Sequence, residues 1–414
     1  MNKRNYIFDF KNSNKRNKNF YKRYIFILIF FLIFSLSIFV PVKTFSYDEG
    51  SSSAEETLSN NVFNQLNDLD LSQVEQVLDN ININSAIFGE GSFREKIEEI
   101  VNGNFFGDYS SFFSAIIGEV GEKITKYLPL IFTILGLSLL NLFVTSFKSG
   151  SNEGLQNIIY FVTFAVVIVI LGFNFKSIIE SCNNTLLGIK SQIDAIMPIM
   201  LTLLTAIGGT TSVGIYKPIV AVLSGSITTI FSSFVYPLFI LSFILIVVGN
   251  LTSSIKLNKF IDLIFSIFKW VIGFVFTLFS AFLTFQGITA GRYDGISVSA
   301  TKFAIKSYIP IIGGYLSDGL DFIVLSSVLI KNAIGVAGLI VIAITIISPI
   351  IELLILKFSL QFLSAILETL GDDRISNLIT KCSKILLFPL VILLAVSFMY
   401  LLIMSLIMAT ANII

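Results

Sequence analysis

The chain has 414 residues, 54% of them hydrophobic and only 13% charged, with 28 basic and 27 acidic side chains that nearly cancel. That composition describes an integral membrane protein and excludes an ordinary soluble globule. Histidine is absent, which excludes His-based acid–base catalysis, Ser-His and Cys-His nucleophiles, and most zinc and haem ligation.

Charge is segregated along the chain. Lys3, Arg4, Lys11, Lys15, Arg16, Lys18, Lys22 and Arg23 precede an apolar run from Tyr24 to Val42. A basic leader before an apolar run stays in the cytoplasm by the positive-inside rule. Residues 1–46 therefore read as a signal peptide, with small residues around Thr44-Phe45-Ser46 suited to cleavage, or as an uncleaved N-terminal anchor. From Tyr47 to Glu122 acidic residues dominate, with Arg94 and Lys96 as the basic exceptions. This acidic segment, 47–123, is expected to be extracytoplasmic. Its Ser-rich start, Tyr47 to Asn61, is expected to be disordered.

Two helices are legible next. Ser72-Gln73-Val74-Glu75 fits a capping box, followed by Val74, Val77, Leu78 and Ile81 at helical spacing. Ser92-Phe93-Arg94-Glu95 fits another, with Phe93, Ile97 and Ile100 on one face. Neither carries enough apolar surface for its own core, so both are expected to pack on the membrane domain or on a partner. A third amphipathic stretch sets Phe112, Phe113, Ile116, Ile117 and Val120 opposite Glu119, Glu122 and Lys123, and suits a membrane interface.

The multi-pass membrane domain is expected over 124–414. Clear spans are Tyr127–Phe147, Asn157–Phe175, Lys269–Ala290, Asn332–Pro349 and Ile385–Thr410. Ala195–Asn250 is apolar but interrupted by Pro198, Gly208-Gly209, Lys217-Pro218 and Pro237, so it holds either two spans or three broken ones. Ile309–Ile330 reads as a span or a re-entrant pair. Lys357, Gln361, Ser364 and Glu368 form one polar stripe, to line a cavity, meet another helix or lie at the surface. Gly371 suits a helix stop. The fold class is thus all-α, polytopic, with seven to ten membrane helices, some broken or re-entrant. The clusters Lys256, Lys259, Lys269 and Arg374, Lys381, Lys384 are expected to face the cytoplasm.

Two parts share landmarks. Lys190-Ser191 precedes Pro198 as Lys306-Ser307 precedes Pro310, and Pro198 to Pro237 matches Pro310 to Pro349 in length. A possible internal duplication pairs 189–290 with 302–410. Many transporter and channel folds place their site at such a repeat interface.

Charges inside hydrocarbon cost several kcal/mol unless they face a cavity, a partner or the interface. The candidate conduit or partner-facing residues are Lys217, Lys302, Lys306, Asp318, Asp321 and Lys331. Lys217 alternatively marks a tight turn, which Tyr216-Lys217-Pro218 suits. Asp318 and Asp321 share a helix face and suit either a cation site or a solvated interfacial helix. Pairing of Asp321 with Lys331 stays open. Cys182 and Cys382 show no metal spacing and read as small structural residues in loops. No P-loop, dinucleotide turn or metal-ligand motif appears, so no cofactor, metal or catalytic residue is assigned and the protein is read as non-enzymatic. Nothing beyond the leader supports nucleic-acid binding.

Ala290-Gly291, Ser299 to Phe303, Tyr308-Ile309-Pro310, Gly313-Gly314, Asp318, Asp321 and Ser326 to Gly338 together resemble the stage III sporulation protein AE family of endospore-forming Firmicutes, with a clostridial cast to the composition. The resemblance covers essentially the whole chain and brings no active-site residues. It implies a protein of the mother-cell membrane around the forespore, acting with the other stage III proteins (AA to AH) and with forespore stage II sporulation protein Q. That assembly is similar to secretion machines and is taken to form a transenvelope channel supporting forespore development during engulfment. The rival reading is a secondary transporter moving a small solute or ion, with Lys217, Asp318, Asp321 and Lys331 as its site.

Overall fold

The computed structural model describes residues 52–80, 91–102, 109–146, 153–251, 257–308 and 313–410, with backbone alone between 284 and 320. The leader, its cleavage site and Lys256 lie outside the described residues, as do the side chains of Lys302, Lys306 and Asp318. Every described element is a helix. In chain order these are α1 Ser52–Asp68, α2 Ser72–Asn80, α3 Phe93–Val101, α4 Tyr109–Ser146, α5 Glu153–Ala206 and α6 Thr210–Ile230. A π-helical turn, Phe231–Val235, leads into α7 Tyr236–Leu251. Then come α8 Asn258–Tyr308, α9 Gly313–Thr369, α10 Asp373–Ile385 and α11 Leu387–Ala409.

Six stretches among the described residues are long and apolar enough to cross a membrane: Phe113–Val144, Ile158–Ala206, Thr210–Leu251, Asn258–Leu283, Asp321–Thr369 and Asp373–Ala409. Segments that look separate in sequence run on as single helices. Pro129, Pro198, Pro218 and Pro349 all lie inside helices. Neighbouring helices in a membrane bundle supply the packing that lets proline persist there. Lys217-Pro218 is therefore mid-helix, not a turn. The break within 195–250 falls at Gly208, whose φ of +88° favours glycine. A Cβ on Gly209 would sit 2.8 Å from the Leu204 carbonyl oxygen, so this corner requires both glycines.

The two landmark-sharing halves differ in helix context. Pro237 is the second residue of α7, just after the π-helical turn, whereas Pro349 lies deep inside the 57-residue α9. Pro310 lies outside the described residues.

Helix α9 is central and packs against α3, α4, α5, α8, α10 and α11. Two of its glycines explain how α11 comes so close. A Cβ on Gly338 would lie 2.7 Å from Met404 Cε and 3.2 Å from Ile196 Cδ1. One on Gly335 would overlap the Met408 side chain. Small residues at such crossings let backbones approach closely in lipid, where packing drives helix association.

The N-terminal helices form a cap on this bundle. Val62, Leu66, Leu71, Val74, Phe93 and Ile97 are buried together. Ser327 Oγ donates to Gln65 Oε1 at 3.0 Å, and Gln65 Nε2 donates to the Ile323 carbonyl at 3.4 Å, seating the cap on α9. Arg94 Nη1 donates to Asn67 Oδ1 at 2.7 Å and ties α3 to α1. Helix α1 begins at Ser52, so the Ser-rich stretch expected to be disordered is helical from that point; its later turns carry Val62 and Leu66 into the cap.

The Ser92–Glu95 capping box forms as expected. At Ser72 it does not. Ser72 N donates to Asp70 Oδ1 at 3.1 Å, and Ser72 Oγ donates to the same oxygen. These two bonds hold the exposed Asp70 carboxyl below the usual carboxylate range. The amphipathic stretch 112–123 forms the start of α4, which continues without a break past 123/124. Gly371, at φ +89°, stops α9 as expected, and Asp372 Oδ1 accepts from Ile375 N to start α10. The polar stripe on α9 meets that helix: Ser364 Oγ donates to the Ser376 carbonyl at 3.0 Å. Cys182 and Cys382 are free and buried inside α5 and α10, not in loops, because both pack in the bundle interior.

Candidate functional site

Helix α5 is 54 residues long, about 80 Å, against a hydrocarbon core of about 30 Å. Its outward face changes character once. From Ile158 through Phe161, Val162, Val166 and Val169 to Phe173 it is apolar and exposed, as a lipid-facing helix requires. Between Phe173 and Thr205 the exposed positions are Lys176, Ser177, Glu180, Asn184, Leu187, Ser191, Asp194, Pro198, Thr202 and Thr205 itself. They recur every three or four residues, so they form one stripe along one side of the helix. From Lys176 to Thr205 the stripe is about 44 Å long. Apart from Leu187 and Pro198 its members are polar.

The hairpin partner α6 matches it. Its exposed residues are Thr210, Thr211, Gly214, Lys217, Pro218, Ala221, Val222, Gly225 and Thr229, nearly all small or polar. The two rows join where Ser224 Oγ donates to Asp194 Oδ1. Lys190 Nζ, one turn away, lies 2.7 Å from Asp194 Oδ2, and Lys176 lies 3.7 Å from Glu180. Both pairs are spaced i, i+4 and neutralise the face locally. Lys217 is exposed, and no acidic side chain among the described residues lies within ion-pair distance of it.

At the same level another exposed face of the bundle, that of α8, is aromatic. Phe276 of α8 packs on Phe398 of α11 at 5.4 Å, and further along α11 Met404 meets Gly338 of α9 and, through it, Ile196 of α5. The large apolar residues exposed on α8 there are Phe260, Leu263, Ile267, Trp270, Phe274, Leu278 and Phe282, with Asp262, Ser266 and Thr277 the exposed polar positions between them. Trp270 is 69% exposed and stacks on Phe274. Phe260 to Phe282 spans about 33 Å, one hydrocarbon thickness. One membrane bundle thus shows a lipid-type face on α8 and a polar, small-residue face on α5–α6. Polar side chains at membrane depth face a water-filled cavity or protein.

Behind the polar face lies a charge pair that the pattern of the sequence did not single out. Glu352 of α9 is 6% exposed and accepts from Lys126 Nζ and, at 2.9 Å, from the Tyr127 hydroxyl, both on α4. Ser181 Oγ of α5 approaches its other oxygen at 3.5 Å. Three helices are pinned at one carboxylate. Gln192 Nε2 adds a donor to Thr345 Oγ1 at 2.9 Å between α5 and α9. The signal was available: Glu352 is the lone acid between Asp321 and Glu368.

Lys331 is fully buried and plays a different part from that of a pore charge. Its Nζ donates to the carbonyls of Thr410 at 2.6 Å and Met408 at 3.1 Å, the C-terminal end of α11. A cation is favoured at the negative end of a helix, where carbonyls lack intrahelical partners. Tyr216 and Thr410 share a hydroxyl–hydroxyl bond of 2.8 Å beside it. Asp321 is half-buried ten residues earlier on the same helix, about 15 Å away along the axis. An Asp321–Lys331 pair therefore does not form. Lys217 follows the buried Tyr216 but points outward, so Lys217, Lys331 and Asp321 do not converge on one site.

The helices, their six membrane-crossing stretches and the two-sided bundle define a polytopic α-helical membrane protein. The sequence profile of the family described as Stage III sporulation protein AE matches residues 91–411, and the chain belongs to that family. It is 24% identical over 322 residues to Stage III sporulation protein AE of Bacillus subtilis (strain 168), across 78% of this chain and 81% of that relative. No solved structure matches it.

Proposed function

We propose that this sporulation membrane protein is a non-enzymatic conduit subunit of a transenvelope, secretion-like complex joining mother cell and forespore. The family membership gives the role in sporulation. The polar face of α5 and α6, set at the level of an aromatic lipid-type face on α8, carries the conduit reading. In this reading the protein sits in the mother-cell membrane around the forespore. The α1–α3 cap lies on the intermembrane side and meets the other stage III proteins and, through them, stage II sporulation protein Q.

Two measurements test it. Affinity capture from sporulating cells is expected to recover other stage III membrane proteins; recovery of none overturns the complex. Single cysteines at Ser191, Thr202 and Gly214 are expected to react with a membrane-impermeant thiol reagent, while one at Phe274 is protected. The native Cys182 and Cys382 are buried and give a quiet background. Equal protection at all four positions overturns the conduit face.

A further inference from the structure

Near the residue where the aromatic face of α8 begins stand lysines carried by two elements, α8 and α10. Lys259 stands exposed beside Phe260, where that face begins. Lys381 Nζ donates to Asn250 Oδ1 at 3.3 Å, which draws α10 to the end of α7. Lys384 lies three residues further, on the same side of α10, and is exposed. Phe388, at the start of α11, packs on Phe265 at 4.7 Å and Phe268 at 4.4 Å, so the α10–α11 joint sits within about three turns of Lys259 along α8. Asp262 is exposed one turn after Lys259 on α8, outside ion-pair distance of it, and its charge acts toward the ammonium of Lys269. Among the described residues no carboxylate lies within ion-pair distance of Lys259, Lys381 or Lys384. Three cations without acidic partners therefore rim a surface built to meet acyl chains.

We propose that Lys259, Lys381 and Lys384 bind the phosphate of an anionic phospholipid whose acyl chains lie along Phe260, Leu263 and Trp270. Ammonium groups at the rim of a lipid-facing surface stand at headgroup depth, and basic clusters between helix ends recognise anionic headgroups by charge. The positive-inside rule assigns this rim to the cytoplasmic leaflet. The inference is independent of the conduit, since it rests on the exposed residues of α8 and α10 and on none of the α5–α6 rows.

The test uses the full chain in nanodiscs of phosphatidylcholine doped with either phosphatidylglycerol or more phosphatidylcholine, reading retained lipid by native mass spectrometry. The wild type is expected to retain phosphatidylglycerol on the order of a hundredfold better than phosphatidylcholine, with the preference falling as salt rises. The triple variant K259Q/K381Q/K384Q is expected to lose the preference, and K259R/K381R/K384R to keep it. Equal retention of both lipids by the wild type, or undiminished preference in the glutamine variant, overturns the proposal. If the triple variant fails to fold, the exposed K384Q alone and the salt dependence of the wild type decide: preference insensitive to both overturns it.

Discussion

The outward faces of α5 and α8 lie at the same level in one bundle and obey opposite rules. On α8 every third or fourth residue is aromatic or aliphatic over the thickness of a bilayer core. On α5 the same spacing brings Lys176, Glu180, Asn184, Ser191, Asp194, Thr202 and Thr205 to the surface. Both helices are apolar in overall composition, so mean hydropathy does not distinguish them. The side on which the few polar residues fall does. A bundle with one lipid-type side and one polar side is not complete as a lone chain in lipid; its polar side requires water or protein.

The comparison breaks most visibly if the core that holds both faces in register is overfilled. Gly338→Leu forces a side chain into Met404 and Ile196, and is expected to cost about 3 kcal/mol, read as loss of folded protein in detergent melts. Lys126→Ala comes next. It leaves the buried Glu352 with weaker partners and is expected to cost about 2 kcal/mol, less than a fully buried pair because Lys126 is half exposed. Glu352→Gln, which keeps an acceptor for Tyr127, is expected to cost less than Lys126→Ala; no loss from either substitution in thermal melts would show that Glu352 does not pin α4. A sharper contrast exchanges polarity between faces. Phe274→Asn is expected to destabilise the protein in bilayers by about 2 kcal/mol, whereas Thr202→Asn is expected to be nearly neutral. Equal costs would erase the distinction between the faces. The smallest effect lies in the cap. Asp70 has its carboxyl pKa held down by Ser72, so its contribution is present above the ordinary carboxylate value and lost as pH falls through the folded one. Asp70→Asn is expected to remove that acid-side loss of α2 helicity, followed by circular dichroism of the full chain from neutral pH to below about 4.

Much of the fold was legible from local rules. The Ser92–Glu95 box and the Gly371 stop each follow from a short pattern that the structure keeps, and each clear span overlaps a longer membrane-length stretch. Helix continuity was not legible. Pro198 and Pro218 read as breaks because the pattern of a single chain does not show the neighbours that hold a proline-containing helix together. Of the candidate charges, Lys217 does stand on the polar face, while Lys331 turns inward to cap α11. A lysine in an apolar run looks the same in both cases, and the carbonyls that decide lie almost eighty residues away. The stripe on α5 was readable in principle, since its spacing is helical, but knowing which side of the helix is outward required the packing of α9 and α11.

Helix α9 also has a mechanical meaning. It runs unbroken for 57 residues, from near the Ser327 contact with the cap, past Glu352, to the turn at Gly371. A rod of about 85 Å with one internal proline, Pro349, transmits displacement rather than absorbing it. A pull on the cap meets the Lys331, Gly335 and Gly338 contacts with α11 before it reaches Pro349 and the Glu352 pin one turn below it. The cap and α10 are thus coupled in series along one helix.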